Sequence, residues 1–461
     1  MKWIAFFLIV GLFYACDAPQ TEEQPVAEQE PKPNIIFIMA DDLGYGDLGS
    51  YGQQQIKTPH LDRMAAEGLR FTQVYAGAPV CAPSRSVLMT GQHSGHTKVR
   101  GNFSAIEVPE LPNPRRIPLA PEDTTIAEIL KREGYVTGMF GKWGLGEANT
   151  TGEPNAKGFD EWFGFNNQRR AHGHYPEFVW HNRDTFHIEA NLNGAKGQHV
   201  HELFTQFAMD FLEQNKDTTF FMYLPYTLPH DDFDATEEYL EIYENEDWTE
   251  QEKTYAAMVG MVDADVGQLL DSLQAYSIAE NTLVFFCSDN GAANRYEGTF
   301  DSSGPLRGRK RDMYEGGIRT PMIAWMPGTV PAGAINDYPW YFPDVLPTLT
   351  AFTGAEAPQN IDGISVLPAI MGEEMPDSDR YLYWEFHERN FDQAVRWNDW
   401  KGVRDGVDTP LELYDLSADV GEENDISADY PEITEQLTNY LDTARSPSIY
   451  WPVETGQSAM K

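Results

Sequence analysis

A chain of 461 residues, 41% hydrophobic and 13% aromatic, is long enough for one large domain with a smaller one beside it. Asp and Glu number 72 against 33 Lys and Arg, a formal net charge of −39, so the surface repels nucleic acid and has no general affinity for anionic membranes. Any anionic ligand must be captured by a local basic site working against that field.

The chain starts MKWIAFFLIVGLFYAC, one lysine and then an apolar run too short for a comfortable membrane span. Residues 1–16 read as a secretory signal. The small residue before Cys16 resembles a bacterial lipoprotein signal, in which Cys16 would become the lipidated first residue. Residues 17–33, acidic and proline-rich without an apolar pattern, read as a disordered tether. The expectation is an exported protein of the periplasm or cell surface, lipid-anchored to a bacterial membrane. With Cys16 lipidated, Cys81 and Cys287 remain, and an oxidising compartment favours pairing them.

From Asn34 onward the same event occurs four times: an apolar run ends and polar residues follow at once. NIIFIM leads to Asp41-Asp42, YVTGMFG to Lys142, TFFMYLPYTLP to His230, and TLVFFCS to Asp289-Asn290. Continuous apolar runs of this kind suit strands buried on both faces. Amphipathic stretches lie between them, TTIAEILKREG, HVHELFTQFAMDFLEQN and TYAAMVGMVDADVGQLLDSLQ. The alternation predicts an α/β fold over residues 34–345, with a large, mostly parallel or mixed sheet flanked by helices. Ligand sites in such sheets lie beyond the carboxyl ends of the strands, where all four polar groups fall. Past residue 345 the runs RYLYWEF, QAVRWNDWKGVR and LELYDL are short and alternating, and YPEITEQLTNYLDTA is helical. Residues 346–461 therefore read as a smaller antiparallel sheet with a C-terminal helix.

Asp41, Asp42, Asp289 and Asn290 offer only oxygen ligands, which select Ca²⁺ or Mg²⁺ over zinc. In CAPSRSVLMTG, Cys81 heads a short helix with Arg85 in its first turn, where free N–H groups and the helix dipole favour an anion. LRGRKRDMYEGGIRTP concentrates Arg307, Arg309, Lys310, Arg311 and Arg319 in an otherwise acidic chain, and with Lys142 it suggests an anion site. His230 is a candidate general acid, with a buried structural histidine as the competing account. A thiolate at Cys81 would bind a soft metal or be oxidised, so beside oxygen ligands a chemically converted cysteine fits better.

CAPSRSVLMTG resembles the sulfatase signature, Cys-x-Pro-Ser-Arg followed by Thr-Gly. NIIFIMADDLGYGDLGSYG, IKTPHLDRMAAEGLRFTQVYA, GKWGLG, FFCSDNG, LRGRKRDMYEGGIRTP and ELYDLSADVGEENDI resemble segments of the same family, in order. From Asn34 onward the chain is thus similar to the formylglycine-dependent, arylsulfatase-like sulfatases of the alkaline phosphatase superfamily. The resemblance implies that Cys81 becomes formylglycine (3-oxoalanine), made by a formylglycine-generating or anaerobic sulfatase-maturating enzyme. It implies one Ca²⁺ held by Asp41, Asp42, Asp289, Asn290 and the modified Cys81. It implies that Arg85 orients the hydrated aldehyde, that Lys142 and Lys310 hold sulfate oxygens, and that His230 protonates the leaving alcohol. The hydrate of such an aldehyde has two hydroxyls, one to attack sulfur and one to expel sulfate afterwards.

One position departs from the family pattern. Sulfatases commonly carry histidine two residues after the lysine of GKW, and this chain has Gly144. NNQRRAHGHYPEFVW offers His172 and His174, flanked by Arg169, Arg170, Tyr175 and Trp180; either one histidine enters the site or the segment is a surface loop. His172, His174, Arg169 and Arg307 are the candidate substrate contacts. The implied activity is removal of sulfate from a sulfated oligosaccharide, algal (such as ulvan or carrageenan) or glycosaminoglycan-derived. Two alternatives stand beside it: a phosphomonoesterase or phosphodiesterase of the same superfamily, and a non-catalytic lipoprotein binding sulfated glycans through an unmodified Cys81.

Overall fold

Strand Asn34–Ala40 is buried along its whole length, and its alternate side chains feed two different cores. Ile36, Ile38 and Ala40 pack with Phe204, Phe211, Met258, Val262 and Leu269 on one face of a sheet. Ile35, Phe37 and Met39 pack with Leu88, Ile129, Leu346 and Leu349 on the other. This is why the run is apolar at every position rather than at every second one.

The computed structural model describes residues 1, 3, 32–376 and 378–453. The expected signal, tether and lipidated Cys16 lie outside the described residues, apart from Met1, Trp3, Lys32 and Pro33. Among the described residues the large sheet has eleven strands. Their order is Ala334–Asn336, Leu69–Tyr75, Arg319–Trp325, Thr282–Ser288, Asn34–Ala40, Phe220–Pro225, Val136–Lys142, Glu161–Phe165, Phe178–His181 and Asp184–His187. Trp340–Tyr341 also pairs with Leu69–Tyr75. The strands from Thr282–Ser288 to Glu161–Phe165 run parallel, and Ala40 lies opposite Ser288 while Met39 lies opposite Pro225. That register brings four strand ends to one edge. Arg319–Trp325 is antiparallel to both neighbours, as are the pairings beyond Glu161–Phe165, so the sheet is mixed.

Helices cover both faces. Ile126–Arg132 and Glu250–Ala275 each start with a capping box, Thr125 with Glu128 and Thr249 with Glu252. Among the described residues no helix is long and apolar enough to cross a membrane. Cys81 and Cys287 are both free and buried, so the disulfide is not formed. Cys287 lies within a strand, paired in register with Met39 and Met322 and packed in the core, whereas Cys81 opens a helix beyond the strand ends.

A second, antiparallel sheet holds Tyr381–Phe386, Asp392–Trp397, Trp400–Asp405 and Glu412–Asp415 in chain order. Its period-two pattern is read out as expected for a sheet covered differently on its two faces. Tyr383, Val395 and Leu413 meet Leu437 and Leu441 of helix Pro431–Thr443. Leu382, Trp384 and Phe386 meet Tyr75, Val80 and Ile318 from the large-sheet side. Residue 346 falls inside helix Val345–Thr353, whose Val345, Leu346 and Leu349 belong to the core under the large sheet.

Ionic contacts seal the joint between the sheets. Lys401 Nζ lies 2.9 Å from Glu315 Oε1 and 2.8 Å from Glu422 Oε1, all three side chains having no exposed surface. Glu315 also accepts from Tyr75 Oη at 2.8 Å and pairs with Arg319 at 3.0 Å. Lys401→Met would leave two buried carboxylates facing each other, and the expected loss is roughly 3–5 kcal/mol of stability. Urea denaturation measures it, and a midpoint within error of the wild type would exclude this role for Lys401.

Candidate active site

The first residues past the central strands converge. Asp41 and Asp42 follow Ala40, and the Asp41 N–H donates to Leu228 O at 2.9 Å, which ties the loop carrying His230 to the same edge. Asp289 N–H donates to Ala40 O at 3.1 Å, and the Asp42 N–H donates to Asp289 Oδ1 at 3.2 Å. Asn290 Nδ2 donates to Asp42 Oδ1 at 2.7 Å, whereas Asn290 Oδ1 is buried with no partner. The four residues are at most 1% exposed.

Cationic side chains surround these carboxylates. Lys142 Nζ lies 2.5 Å from Asp41 Oδ2, and Lys310 Nζ lies 2.7 Å from Asp42 Oδ2. Lys310 is held there because its N–H donates to Ala292 O at 2.9 Å, just past Asn290. Burial pushes Asp41 up, but Lys142, His230 and Arg85 hold its carboxyl well below the usual range. Asp289 goes the other way: burial, then the Asp41 charge, push it up to about 6.

Helix Cys81–Thr90 is buried at every residue and ends at Gly91, whose φ of 68° lets its N–H reach Val87 O at 3.0 Å. Ala82 N–H in its first turn is satisfied by Asn102 Oδ1 at 3.1 Å. Cys81 Sγ is 3.3 Å from Asp41 Oδ1, and burial followed by that charge pushes the thiol up. Arg85, one turn on, is committed to the scaffold. Its Nε and Nη2 donate to Asp289 Oδ2 at 3.1 and 2.8 Å, and Nη1 donates to the Lys142 carbonyl at 2.6 Å. It thereby links the ends of two strands.

His230 Nε2 lies 3.2 Å from Lys310 Nζ and 3.4 Å from Asp42 Oδ2, while Nδ1 lies 2.6 Å from Asp231 Oδ1. Burial pulls its pKa down, but Asp42 and Asp41 raise it to about 10. The ring of His172 packs against that of His230 with centroids 4.3 Å apart. Burial and the neighbouring His230 lower His172 to about 4.

The structure separates the other expected residues. His172 and Arg169 line a cavity of about 300 Å³ together with Cys81, Lys142, His230 and Lys310. His174 does not reach it. Its ring is buried 5.2 Å from that of His199, and its Nε2 meets the backbone carbonyl of His230 at 3.3 Å, behind the site. Arg307 turns to the small sheet, with Nη1 donating to Tyr414 Oη at 3.0 Å and Glu422 O at 2.7 Å, and its guanidinium over the Tyr314 ring. Arg319 is spent on Glu315.

The same cavity is lined by Asn102, Phe103, Arg116, Gln168 and Arg311, and an adjoining one of about 310 Å³ by Asp231, Arg309 and Arg389. Asn102, Phe103, Arg116, Gln168, Asp231 and Arg389 escaped the sequence reading. Most sit in irregular segments, where no periodicity marks which side chain turns inward. A buried, all-oxygen set with an orphaned Asn290 Oδ1 is the chemistry of a hard-cation site. The Cys81 sulfur, a His230 ring nitrogen and carboxylate oxygens of Asp41 and Asp42 lie within 4.8 Å of one another, so the expected nucleophile and proton donor border the oxygen set.

Comparison with known proteins agrees with this geometry. The sulfatase family model matches residues 33–355, and that of the C-terminal region of N-sulphoglucosamine sulphohydrolase matches residues 308–446. The chain is 34% identical to N-acetylgalactosamine-6-sulfatase of Canis lupus familiaris over 368 residues, 76% of this chain and 68% of the relative. With the Homo sapiens protein of the same name it shares 32% identity over 408 residues, 82% of this chain and 74% of the other. Among solved structures it superposes on Ps i-CgsB with a TM-score of 0.78 and 30% identity, covering 90% of this chain and 92% of that one. A structure of Ps i-CgsB in complex with k-i-k-neocarrahexaose gives a TM-score of 0.78 at 29% identity, over 91% of this chain and 95% of that one. With matching sequence over most of its length and a matching fold, the chain belongs to the sulfatase family and is a sulfuric ester hydrolase.

Proposed function

We propose that this sulfatase removes sulfate from a sulfated oligosaccharide, of the algal or glycosaminoglycan kind, at a formylglycine made from Cys81 beside one Ca²⁺. The observation that carries the reading is the placement of Cys81, 3.3 Å from a strand-end carboxylate and lining a cavity with lysines in a chain of net charge −39. The relatives that are N-acetylgalactosamine-6-sulfatases and the oligosaccharide bound to Ps i-CgsB support a carbohydrate ester. Asp41, Asp42, Asp289 and Asn290 would hold Ca²⁺, which when bound supplies Lewis-acid polarisation of sulfate oxygens. The hydrated aldehyde at residue 81 supplies a nucleophilic hydroxyl that a thiol lacks. Cys81 is 3% exposed, so the maturating enzyme must reach it before the fold closes. Export and a lipid anchor at Cys16 belong to the same reading and rest on the sequence of residues 1–16.

The chain's own residues divide the remaining work. Lys142 and Lys310 line the cavity and offset the charge of the sulfate. His230, oriented by Asp231, is positioned to donate a proton to the leaving sugar oxygen. His172, lowered to about 4 by burial and by His230 and lining the same cavity, is the base available beside that ring. His174 acts only from behind, through the His230 carbonyl.

Release of sulfate from a panel of defined sulfated oligosaccharides, together with the mass of the peptide containing residue 81, tests the reading. His230→Ala is expected to slow sugar sulfates by roughly 10²–10⁴-fold and activated aryl sulfates far less, because only the sugar needs protonation to leave. Equal losses on both substrate types would remove the general-acid role. His172→Ala should instead slow both types alike.

A further inference from the structure

Gln168 is 4% exposed, yet both polar atoms of its carboxamide, Nε2 and Oε1, are buried without a hydrogen-bond partner. Buried amides are nearly always satisfied, so an orphaned pair lining a cavity points to a ligand, ion or water that completes the bonding. The side chain lines the cavity that also contains Cys81, Lys142 and His172. It arrives there through space that a side chain at position 144 would need. A Cβ on Gly144 would stand 1.8 Å from Gln168 Nε2 and 2.7 Å from the carboxamide carbon. Gly144 also has a φ of 84°, and its N–H donates to Asn166 O at 3.2 Å, which fixes the two segments side by side.

We propose that Gln168 is a substrate-binding residue that hydrogen-bonds the sulfate being hydrolysed, and that glycine at 144 is the condition for its entry. The inference rests on the sulfatase reading and adds a ligand to its site. Whichever way the carboxamide is turned, one end donates to a sulfate oxygen and the other accepts from a hydroxyl at the reacting centre. A carboxamide does not gain or lose a net proton near neutrality. Gln168 therefore binds without serving as a base, and proton transfer stays with the histidines.

The test uses the matured, full-length protein and two readouts: kcat/KM on an aryl sulfate, and the affinity of inorganic sulfate measured by calorimetry. Gln168→Ala is expected to weaken both by about 10–100-fold, the range for losing a hydrogen bond to a charged group. Gln168→Glu should lose more, because a carboxylate repels sulfate. Gly144→Ala should reproduce the Gln168→Ala defect by displacing the side chain, and the double variant should be no worse than Gln168→Ala alone. Melting temperatures near the wild type separate these losses from misfolding, and Gln168→Ala, which removes no bonded group, carries the test if Gly144→Ala is unstable. Gln168→Ala within twofold of the wild type in both readouts overturns the proposal, as does a double variant whose losses multiply. Sulfate binding that depends on Gln168 in a chain releasing no sulfate from any ester would support this inference while overturning the function proposed above.

Discussion

In the Cys81→Ser variant, shown by mass to be unmodified, sulfate release is expected to fall on the order of 10⁵–10⁶-fold, the scale seen when a covalent nucleophile is removed. The fold should survive. Cys81 heads a helix whose first-turn N–H is satisfied by Asn102, and its own contact is one 3.3 Å bond to Asp41 Oδ1 that a serine hydroxyl can make as well. Serine nonetheless offers one hydroxyl where the hydrated aldehyde offers two, so it can at best attack once. Melting temperature and metal content should match the wild type while turnover vanishes. Turnover at the wild-type rate from the unmodified serine would end the formylglycine reading.

Asp289→Asn is the second large effect. The side chain keeps its size but loses a charge at the point where Oδ2 accepts from Arg85 Nε and Nη2, and where Oδ1 accepts from the Asp42 N–H. Ca²⁺ affinity is set by the charge count and rigidity of its oxygen ligands, so losing one carboxylate charge should lower Ca²⁺ affinity, and activity at low Ca²⁺, by about a hundredfold. Millimolar Ca²⁺ should restore part of the activity. Zn²⁺ should not, because the ligand set is oxygen throughout. In the wild type a chelator should inactivate slowly, since Asp41, Asp42, Asp289 and Asn290 are all closed off from solvent. Stoichiometric zinc in a fully active preparation would exclude the calcium assignment.

Much of this site is legible in the sequence. A strand buried on both faces must be apolar at every position, so the point where the run stops marks the edge of the sheet, and a parallel sheet gathers those points on one side. Asp41, Lys142 and Asp289 come together for that reason. The alternating runs near residues 381–415 likewise betray a sheet covered differently on its two faces. Basic residues were less legible. Lys310, Arg307 and Arg319 occur within one segment, yet only Lys310 reaches the carboxylates, because Glu315 and the small sheet claim the other two.

By itself the sequence determined which strands carry chemistry and what kind of ligands they present, since burial and donor type are written in residue identity. The choice between His172 and His174 belonged to the tertiary structure. The two sit at the end of a short, irregular turn, where no helical or strand period assigns them to a face. Packing decided: His174 was taken by His199 and the His230 carbonyl, and His172 was left against the His230 ring. Gln168 was decided in the same way, from the space left by the missing side chain at Gly144, a residue 24 positions earlier that meets it only because the chain is folded.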